Sequence, residues 1–151
     1  MTGLSATIRC GILGGALWLL AVGCAETETM QTQRSLYDRL GGKTAISAVV
    51  DQFVANVADD SRINGRFATT DIPKLKRHLV DQLCMATGGP CTYTGRDMKT
   101  THAGMRISNA DFGSLVEDLV KALDTFKVPA REKGELLGLL GSMKKDIVEV
   151  P

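Results

Sequence analysis

The strong periodic patterns in this sequence are all helical, and this constrains the fold more than any other feature does. A short apolar segment near residue 36 is followed by four longer stretches in which apolar side chains recur every three or four residues: 46–57, 72–83, 112–126 and 136–147. No strand-like alternation rivals them. A chain of 151 residues has the length of one domain, so we predict an all-α sandwich of two helix pairs with a short first helix.

Residues typical of helix starts precede these stretches. Thr44 is expected to cap the second helix and Asp71 the third. Ser108 and Asp111 form a capping-box pattern before the fourth helix, and Pro129 opens the last one, which we expect to continue through the apolar positions up to residue 147.

The stretch 91–107 breaks the helical pattern, because it contains few apolar side chains and follows the helix-ending sequence Gly88-Gly89-Pro90. We expect a long loop with one helical turn around His102, and long loops in small domains are usually functional. The only other histidine, His78, lies on the apolar third helix. A neutral imidazole is the commonest protein ligand for a metal, so the pattern suggests two histidines that face each other across a flat cofactor.

The first residues have the pattern of a secretory leader. Arg9 precedes a run over 11–22 that is almost wholly apolar or glycine, and too short for a typical membrane span. The sequence Leu20-Ala21-Val22-Gly23-Cys24 resembles a bacterial lipobox, apart from Ala21, where leucine is commoner. This resemblance implies cleavage of a signal peptide, 1–23, and acylation of Cys24, which would anchor the protein to a membrane. The alternatives are an ordinary signal peptide and a short anchor helix with an incidental cysteine.

Residues 24–34 are polar and have little to bury, so we expect a flexible tether before a folded domain at 35–151. The protein is then expected to be exported and anchored at the periplasmic or another extracytoplasmic face of the membrane. Arg9 is the only one of the 18 Lys and Arg residues in the leader, which holds none of the 17 Asp and Glu residues, so the mature chain carries 17 of each. No basic patch or motif indicates nucleic acid binding.

Two cysteines remain in the expected domain. Cys84 and Cys91 flank the turn at 88–90, which could bring their sulfurs within bonding distance. In an oxidising compartment we expect a disulfide that contributes about 2–3 kcal/mol to stability. The alternatives are two unpaired thiols, or, less favoured because no CxxC spacing is present, a metal site with a histidine.

Several motifs match one protein family at the spacing that the family shows. They are, in chain order, Leu36-Tyr37-Asp38-Arg39-Leu40-Gly41-Gly42, Phe53-Val54-Ala55-Asn56-Val57, Phe67, Gly88-Gly89-Pro90, Tyr93-Thr94-Gly95 and Met98-Lys99 with His102. On these residues, the chain from about 35 to 148 resembles the group 1 truncated haemoglobins, in an exported lipoprotein form. The resemblance implies a two-over-two helical globin that binds haem b, with His102 as the proximal iron ligand.

A haem slot needs apolar walls, one strong axial ligand and polar groups only at the propionate edge. Nine side chains are expected to supply the walls: Val50, Val54, Phe67, Leu75, Leu79, Met98, Met105, Phe112 and Leu115. Lys74 and Arg96 are expected to reach the propionates from the rim.

The distal side departs from the family. His78 falls on the distal helix, where some relatives carry an iron-ligating histidine; here it could ligate iron, hydrogen-bond a ligand or point to solvent. Val54 stands where many relatives have a tyrosine that donates to bound oxygen, and Leu75 and Leu79 stand at two further distal places. Gln82 is the only other nearby donor. We therefore expect fast oxygen release unless His78 donates a hydrogen bond.

Three functions are compatible with this sequence. The first is a tethered haem protein that reversibly binds oxygen, nitric oxide or carbon monoxide. The second is an electron carrier or redox sensor with His102 and His78 as axial ligands and an unknown redox partner. The third is a haem-free helical lipoprotein that acts as an adaptor.

The sequence does not indicate an enzyme. It contains no catalytic triad, paired-carboxylate site or dinucleotide fingerprint, and 41–44 lacks the upstream glycine and preceding strand of a phosphate loop. Nitric oxide dioxygenation, known in the resembled family, requires stable oxygen binding and a reductase partner, so we expect it at most as a side activity.

Overall fold

A computed structural model describes residues 34–150, so the expected leader 1–23 and Cys24 lie outside the described residues. The helices within 34–150 are α1 Leu36–Arg39, α2 Gly42–Asp59, a 3₁₀ turn Asn64–Phe67, α3 Ile72–Ala86, α4 Met98–His102, α5 Asn109–Thr125, α6 Ala130–Gly141 and α7 Lys144–Ile147. No strand occurs in this part of the chain, only an isolated bridge between Ser108 and Val150, which confirms the all-α prediction. None of these helices is long and apolar enough to cross a bilayer.

Three of the predicted helix starts are confirmed, and one of them is Pro129, which directly precedes α6. The Asp71 carboxylate accepts a hydrogen bond from the backbone N–H of Lys74 at the start of α3. At the start of α5, Ser108 and Asp111 form the reciprocal capping box, in which each side chain accepts from the other residue's backbone N–H. These contacts satisfy amide groups that have no partner within the helix.

The predicted start of α2 at Thr44 is wrong. The cap is Gly41, and its φ of 92° is a left-handed conformation that glycine adopts without steric cost. The Tyr37 hydroxyl accepts a hydrogen bond from the backbone N–H of Lys43 at 3.0 Å. This side chain from α1 therefore caps the helix from outside, and Thr44 lies within the first turn.

The prediction of a single last helix is also wrong. Its apolar stretch is divided into α6 and α7, and the break lies at Ser142 and Met143. The Ser142 hydroxyl donates a hydrogen bond to the carbonyl oxygen of Leu139 at 2.6 Å, which occupies an acceptor at the end of α6. The break allows α7 to pack against α4, the short helix that ends at His102.

The core lies where the four longer helices meet: α2 packs against both α3 and α5, and α5 packs against α6. Within it, Ala122 is fully buried, and the larger side chains of Val50 and Leu123 are each 1% exposed. The short helix α1 is held to α6 by a buried ion pair, in which Arg39 Nη1 lies 2.7 Å from Glu132 Oε1. Arg39 also pairs with Glu135 on the same helix. These contacts leave the inward faces of α2, α3 and α5 to form the walls of the site.

A disulfide joins α3 to the segment that leads to α4. The predicted disulfide is present, with the sulfurs of Cys84 and Cys91 2.03 Å apart. Cys84 is fully buried in α3. The turn at 88–90 between them brings the backbone N–H of Gly89 within 2.8 Å of the Cys84 carbonyl oxygen. The disulfide therefore fastens to α3 the start of the segment that leads to His102.

Candidate functional site

Two apolar cavities lie between the longer helices. The first has a volume of about 310 Å³ and is lined by Asp51, Phe53, Val54, Ala55, Val57, Ala58, Phe67, Ile72, Leu75, Lys76, Leu79, His102 and Leu115. The second, of about 160 Å³, is lined by Val50, Phe53, Leu79, Gln82, Leu83, Met98, His102, Phe112, Leu115, Val116, Leu119, Leu137, Leu140, Gly141, Met143 and Ile147. Both are mostly apolar with a few polar groups, which is typical of sites that bind organic molecules.

The two cavities meet at four residues. Phe53, Leu79, Leu115 and His102 line both of them. These residues come from α2, α3, α5 and α4 respectively, so four different helices contribute to the junction between the cavities. The imidazole of His102 is the only titratable group in this set, and it borders both cavities.

The orientation of His102 is set by its own helix. Its Nδ1 lies 2.8 Å from the carbonyl oxygen of Met98, one turn earlier in α4. A carbonyl oxygen only accepts, so Nδ1 carries the hydrogen and Nε2 of the neutral ring keeps a free lone pair. Metal-ligating histidines commonly have this arrangement, in which the ring nitrogen that does not bind the metal donates to a carbonyl. Asp97 begins the helix by accepting from the backbone N–H of Thr100.

The donor set around His102 fits a particular kind of metal site. Within residues 34–150, no group of three or more His, Cys, Asp or Glu side chains is arranged to hold a metal ion. A single imidazole in an apolar slot holds a metal firmly only when another molecule supplies the remaining ligands. The residues present therefore fit a metal carried by a flat organic macrocycle better than a bare ion.

Most of the wall residues predicted from the sequence lie at these cavities. Val54, Phe67 and Leu75 line the first, Val50, Met98 and Phe112 line the second, and Leu79 and Leu115 line both. Six of these side chains lie at helical spacing on the inward faces of α2, α3 and α5, whereas Phe67 lies in the 3₁₀ turn and Met98 begins α4.

Besides His78, which is described below, three predicted site residues lie elsewhere. Met105 is 49% exposed and lines neither cavity. Lys74 and Arg96, expected at the propionate edge, are both exposed and also line neither cavity. The structure therefore does not bring these three side chains together with the rest of the predicted site.

The cationic side chain at the first cavity is instead Lys76, which sequence reasoning missed. Its Nζ lies 2.9 Å from Asp51 Oδ1, so an ion pair between α3 and α2 borders the apolar space. Lys76 lies four residues after Ile72 and three before Leu79, and residues at this spacing share one helix face. Helical register would have identified Lys76 rather than Lys74.

His78 is turned away from the cavity face of α3. Its ring forms an edge-to-face contact with Tyr93, with centroids 6.0 Å apart and an interplanar angle of 76°. It lines neither of the two cavities, whereas its neighbour Leu79 lines both. Successive residues on an α-helix differ by about 100° in direction, which explains the separation. The structure therefore does not bring His78 to His102.

Besides His102, the second cavity has a polar wall residue in Gln82. Its amide nitrogen lies 3.4 Å from the sulfur of Met98 and 3.7 Å from that of Met143. Thioether sulfur is a weak acceptor, so this amide remains available to a stronger one. Met143 and its neighbours at 137–147 are wall residues that the sequence indicated only as core, because periodicity does not distinguish the lining of a cavity from a filled interior.

The segment after His102 is tied to the 3₁₀ turn near the first cavity. Arg66 Nη1 donates to the carbonyl oxygen of Met105 at 3.0 Å, and Nη2 lies 2.8 Å from Asp111 Oδ2. The next residue in the turn, Phe67, lines the first cavity. The pKa of the Asp111 carboxyl lies below its usual value, chiefly because the Ser108 hydroxyl donates to it and secondarily because of the Ser108 backbone and Arg66. Arg66 therefore links a wall of the site to the chain that carries His102.

Comparison with known proteins places this geometry in a family. Residues 35–149 match the bacterial-like globins. The chain is 36% identical over 113 residues to the group 1 truncated haemoglobin GlbN of Mycolicibacterium paratuberculosis, an alignment that covers 75% of this chain and 83% of that relative.

Solved structures have the same arrangement of helices. The truncated haemoglobin from Tetrahymena pyriformis in its Fe(III) form superposes with a TM-score of 0.74 at 30% sequence identity, covering 76% of this chain and 98% of that one. The 2/2 haemoglobin from Synechococcus sp. PCC 7002, in the cyanomet state with covalently attached haem, has a TM-score of 0.72 at the same identity and coverage.

Proposed function

The chain belongs to the bacterial-like globin family and, within it, to the group 1 truncated haemoglobins, whose cofactor is haem; we propose that it binds oxygen or another diatomic gas reversibly at the iron of haem b. The single observation that carries this proposal is the position of His102. Its Nδ1 donates to the Met98 carbonyl, and its ring lies at the junction of two apolar cavities.

The residues around His102 suit this role. Nε2 of His102 would ligate the iron, while the hydrogen bond from Nδ1 to Met98 keeps the ring in one tautomer and orientation. Phe53, Leu79 and Leu115 line both cavities and would exclude water from the cofactor. Lys76 borders the first cavity, where it would have to exchange its ion pair with Asp51 for one with a propionate.

Bound haem supplies an iron atom at which a small gas can coordinate. The first cavity offers such a gas few hydrogen bonds, since Val54, Phe67 and Leu75 bring apolar side chains to it, and the Gln82 amide lines the second cavity instead. Lys76 is engaged by Asp51. A charge-assisted donor would contribute about 1.5–3 kcal/mol to oxygen retention, so we expect oxygen to dissociate rapidly.

The contact between His78 and Tyr93 favours gas binding over electron transfer through two histidine ligands. A ring that packs on Tyr93, outside both cavities, would have to leave that contact before it could reach the iron. We therefore propose that the site opposite His102 is open to gas.

Absorption spectra of the purified protein with its haem test this proposal. We expect a five-coordinate or water-ligated spectrum that shifts on addition of carbon monoxide to the reduced protein. In His102→Gly, ligation of the iron by the protein should be lost. Added imidazole should restore it, which would show that the variant is folded. In His78→Ala, the spectrum should stay as in the wild type; a low-spin six-coordinate spectrum that disappears in His78→Ala would overturn the open site.

We further propose that the domain is exported and anchored by lipid at Cys24. The leader pattern of 1–23 supports this, and so does the disulfide between Cys84 and Cys91, because disulfides persist mainly in oxidising compartments. Metabolic labelling with a radioactive fatty acid, in a bacterial host that expresses the full chain, should label the wild type. The variant Cys24→Ser should remain unlabelled, and equal labelling of both proteins would refute the anchor.

A further inference from the structure

The C-terminal segment of the described chain lies along the residues that follow His102. The backbone N–H groups of Glu149 and Val150 both donate to the carbonyl oxygen of Ile107, at 2.9 and 3.1 Å. In return, the N–H of Asn109 donates to the Val150 carbonyl at 3.2 Å. The segment 148–150 therefore holds the junction between the His102 segment and α5.

The side chain of Glu149 extends this contact towards His102. Its Oε1 accepts from the backbone N–H of Gly104 at 2.7 Å, and its Oε2 accepts from the N–H of Arg106 at 2.6 Å. Both residues have a left-handed backbone, with φ of 79° at Gly104 and 53° at Arg106. Such a conformation is uncommon for a residue with a side chain, and it persists only where the surroundings hold it.

The residues 103–107 have little apolar burial to order them. Of them, Ile107 is buried, while Met105 and Arg106 are exposed. The carboxylate binds two N–H groups at once, and the pKa of Glu149 lies below its usual value because the Gly104 and Arg106 amides stabilise the charged form. The residue is therefore an anion at neutral pH, when its hydrogen bonds to the amides are strongest.

From these contacts we propose that Glu149 is a positioning residue for His102, holding the chain at 104–106 so that the imidazole keeps its place at the junction of the two cavities. The proposal rests on the proposed function in one respect, namely that His102 is the iron ligand. Arg66 donates a further hydrogen bond to this loop, at the carbonyl oxygen of Met105. With both neighbours of Met105 bound to Glu149, and Met105 itself bound to Arg66, the loop has little freedom to carry α4 away from the slot.

Two variants of Glu149 separate this role from general stability. Glu149→Gln keeps the length of the side chain and one acceptor oxygen, whereas Glu149→Ala removes both acceptors. Glu117→Ala is the matched control. Glu117 is an exposed glutamate like Glu149, but its partner is Arg62 and not the backbone of 103–107. All three are studied as the haem-loaded protein.

Three measurements are made on each protein: hydrogen exchange of the amides at 103–107, the iron–imidazole stretching band by resonance Raman spectroscopy, and the rate of haem transfer to an excess of apomyoglobin. In Glu149→Ala we expect exchange at Gly104 and Arg106 to rise at least about tenfold. We also expect a broadened or shifted iron–imidazole band and haem transfer that is faster by about tenfold. Glu149→Gln should lie between Glu149→Ala and the wild type, and Glu117→Ala should match the wild type.

The proposal is overturned if Glu149→Ala and Glu149→Gln match Glu117→Ala in the stretching band and the haem transfer rate, even if exchange at 103–107 rises, because the loop would then be ordered without positioning the imidazole. Failure of the proposed function looks different. In that case the wild type takes up no haem, or His102→Gly keeps its axial ligand, whatever Glu149 does.

Discussion

The walls of the site and the segment that carries its ligand are built in different ways. Most of the wall residues belong to α2, α3 and α5, and α2 packs against both of the other two helices through apolar side chains of the core. The segment 97–107 instead has a five-residue helix and a loop, and it is held by the polar contacts of Arg66 and Glu149. Because the walls and the segment that carries His102 are held by different contacts, each can be altered without the other. Three changes test this separation: Leu123→Ala, removal of the disulfide and Arg66→Ala.

The largest effect is expected from a wall helix. Leu123→Ala removes a side chain that is 1% exposed at the packing of α5, and it should lower the free energy of unfolding by about 2–5 kcal/mol. Urea denaturation followed by circular dichroism measures this loss. The control is Leu139→Ala, at a leucine that is 39% exposed, and it should cost much less. Equal losses in the two variants would contradict the core described for the walls.

The next effect concerns the link between the two regions. Replacing Cys84 by Ala and Cys91 by Ser together removes the disulfide that fastens the approach to α4 onto α3. We expect a loss of about 2–3 kcal/mol in unfolding free energy, because the unfolded chain is no longer constrained. The wild type with a reductant should show a similar loss, while the double variant should be insensitive to the reductant. A reductant effect on the double variant would mean that the loss has another origin.

A smaller effect is expected within the ligand segment. Arg66→Ala removes the contacts to Met105 and Asp111, and since this guanidinium is 38% exposed we expect at most about 1 kcal/mol of global stability to be lost. Local exchange at 103–107 should rise even so, because this segment has few other restraints. Arg66→Lys, which keeps the charge but not the two-pronged geometry, should recover only part of the protection. A large global loss with unchanged local exchange would show that the two regions are not separate.

The smallest expected effect is a dependence of the stability of the fold on pH. Arg62 holds the pKa of Asp60 at about 2, below its ordinary value of 3.8, through side-chain and then backbone hydrogen bonds. A carboxyl with a lowered pKa stabilises the fold above its unfolded pKa, and this contribution disappears as the pH falls from about 4 to about 2. Asp60→Asn should therefore be less stable than the wild type at pH 6, with the difference shrinking towards pH 2, in thermal melts at each pH. A difference that is constant over this range would exclude the ionised carboxylate as its cause.

The sequence was sufficient for features that depend on neighbouring residues. Helix periodicity predicted α2, α3 and α5, and the resemblance to the truncated haemoglobins then identified Val54, Leu75 and Leu115 as wall residues, all of which line the first cavity. The caps at Asp71 and at Ser108 were predictable for the same reason, since a cap is a contact across three residues. The start of α2 was not, because Tyr37 caps it from another helix.

The direction in which a side chain points from its helix was harder to predict. His78, which faces Tyr93, and Leu79, which faces both cavities, are consecutive residues of α3. Lys74, which is exposed, and Lys76, which pairs with Asp51, are two positions apart in α3. An amphipathic pattern gives the face of a helix only to within a wide arc, so side chains at its border are assigned correctly only when the neighbouring helix is known.

The sequence by itself determined that this chain forms helices, where most of them begin and end, and that a histidine follows the break at 88–90. Only the tertiary structure decided what surrounds that histidine. Gly104 meets Glu149 across 45 positions of the chain, and Arg66 meets Met105 across 39. Local preferences act over a few residues, whereas such contacts exist only after the helices have packed and brought distant backbone groups within hydrogen-bonding distance.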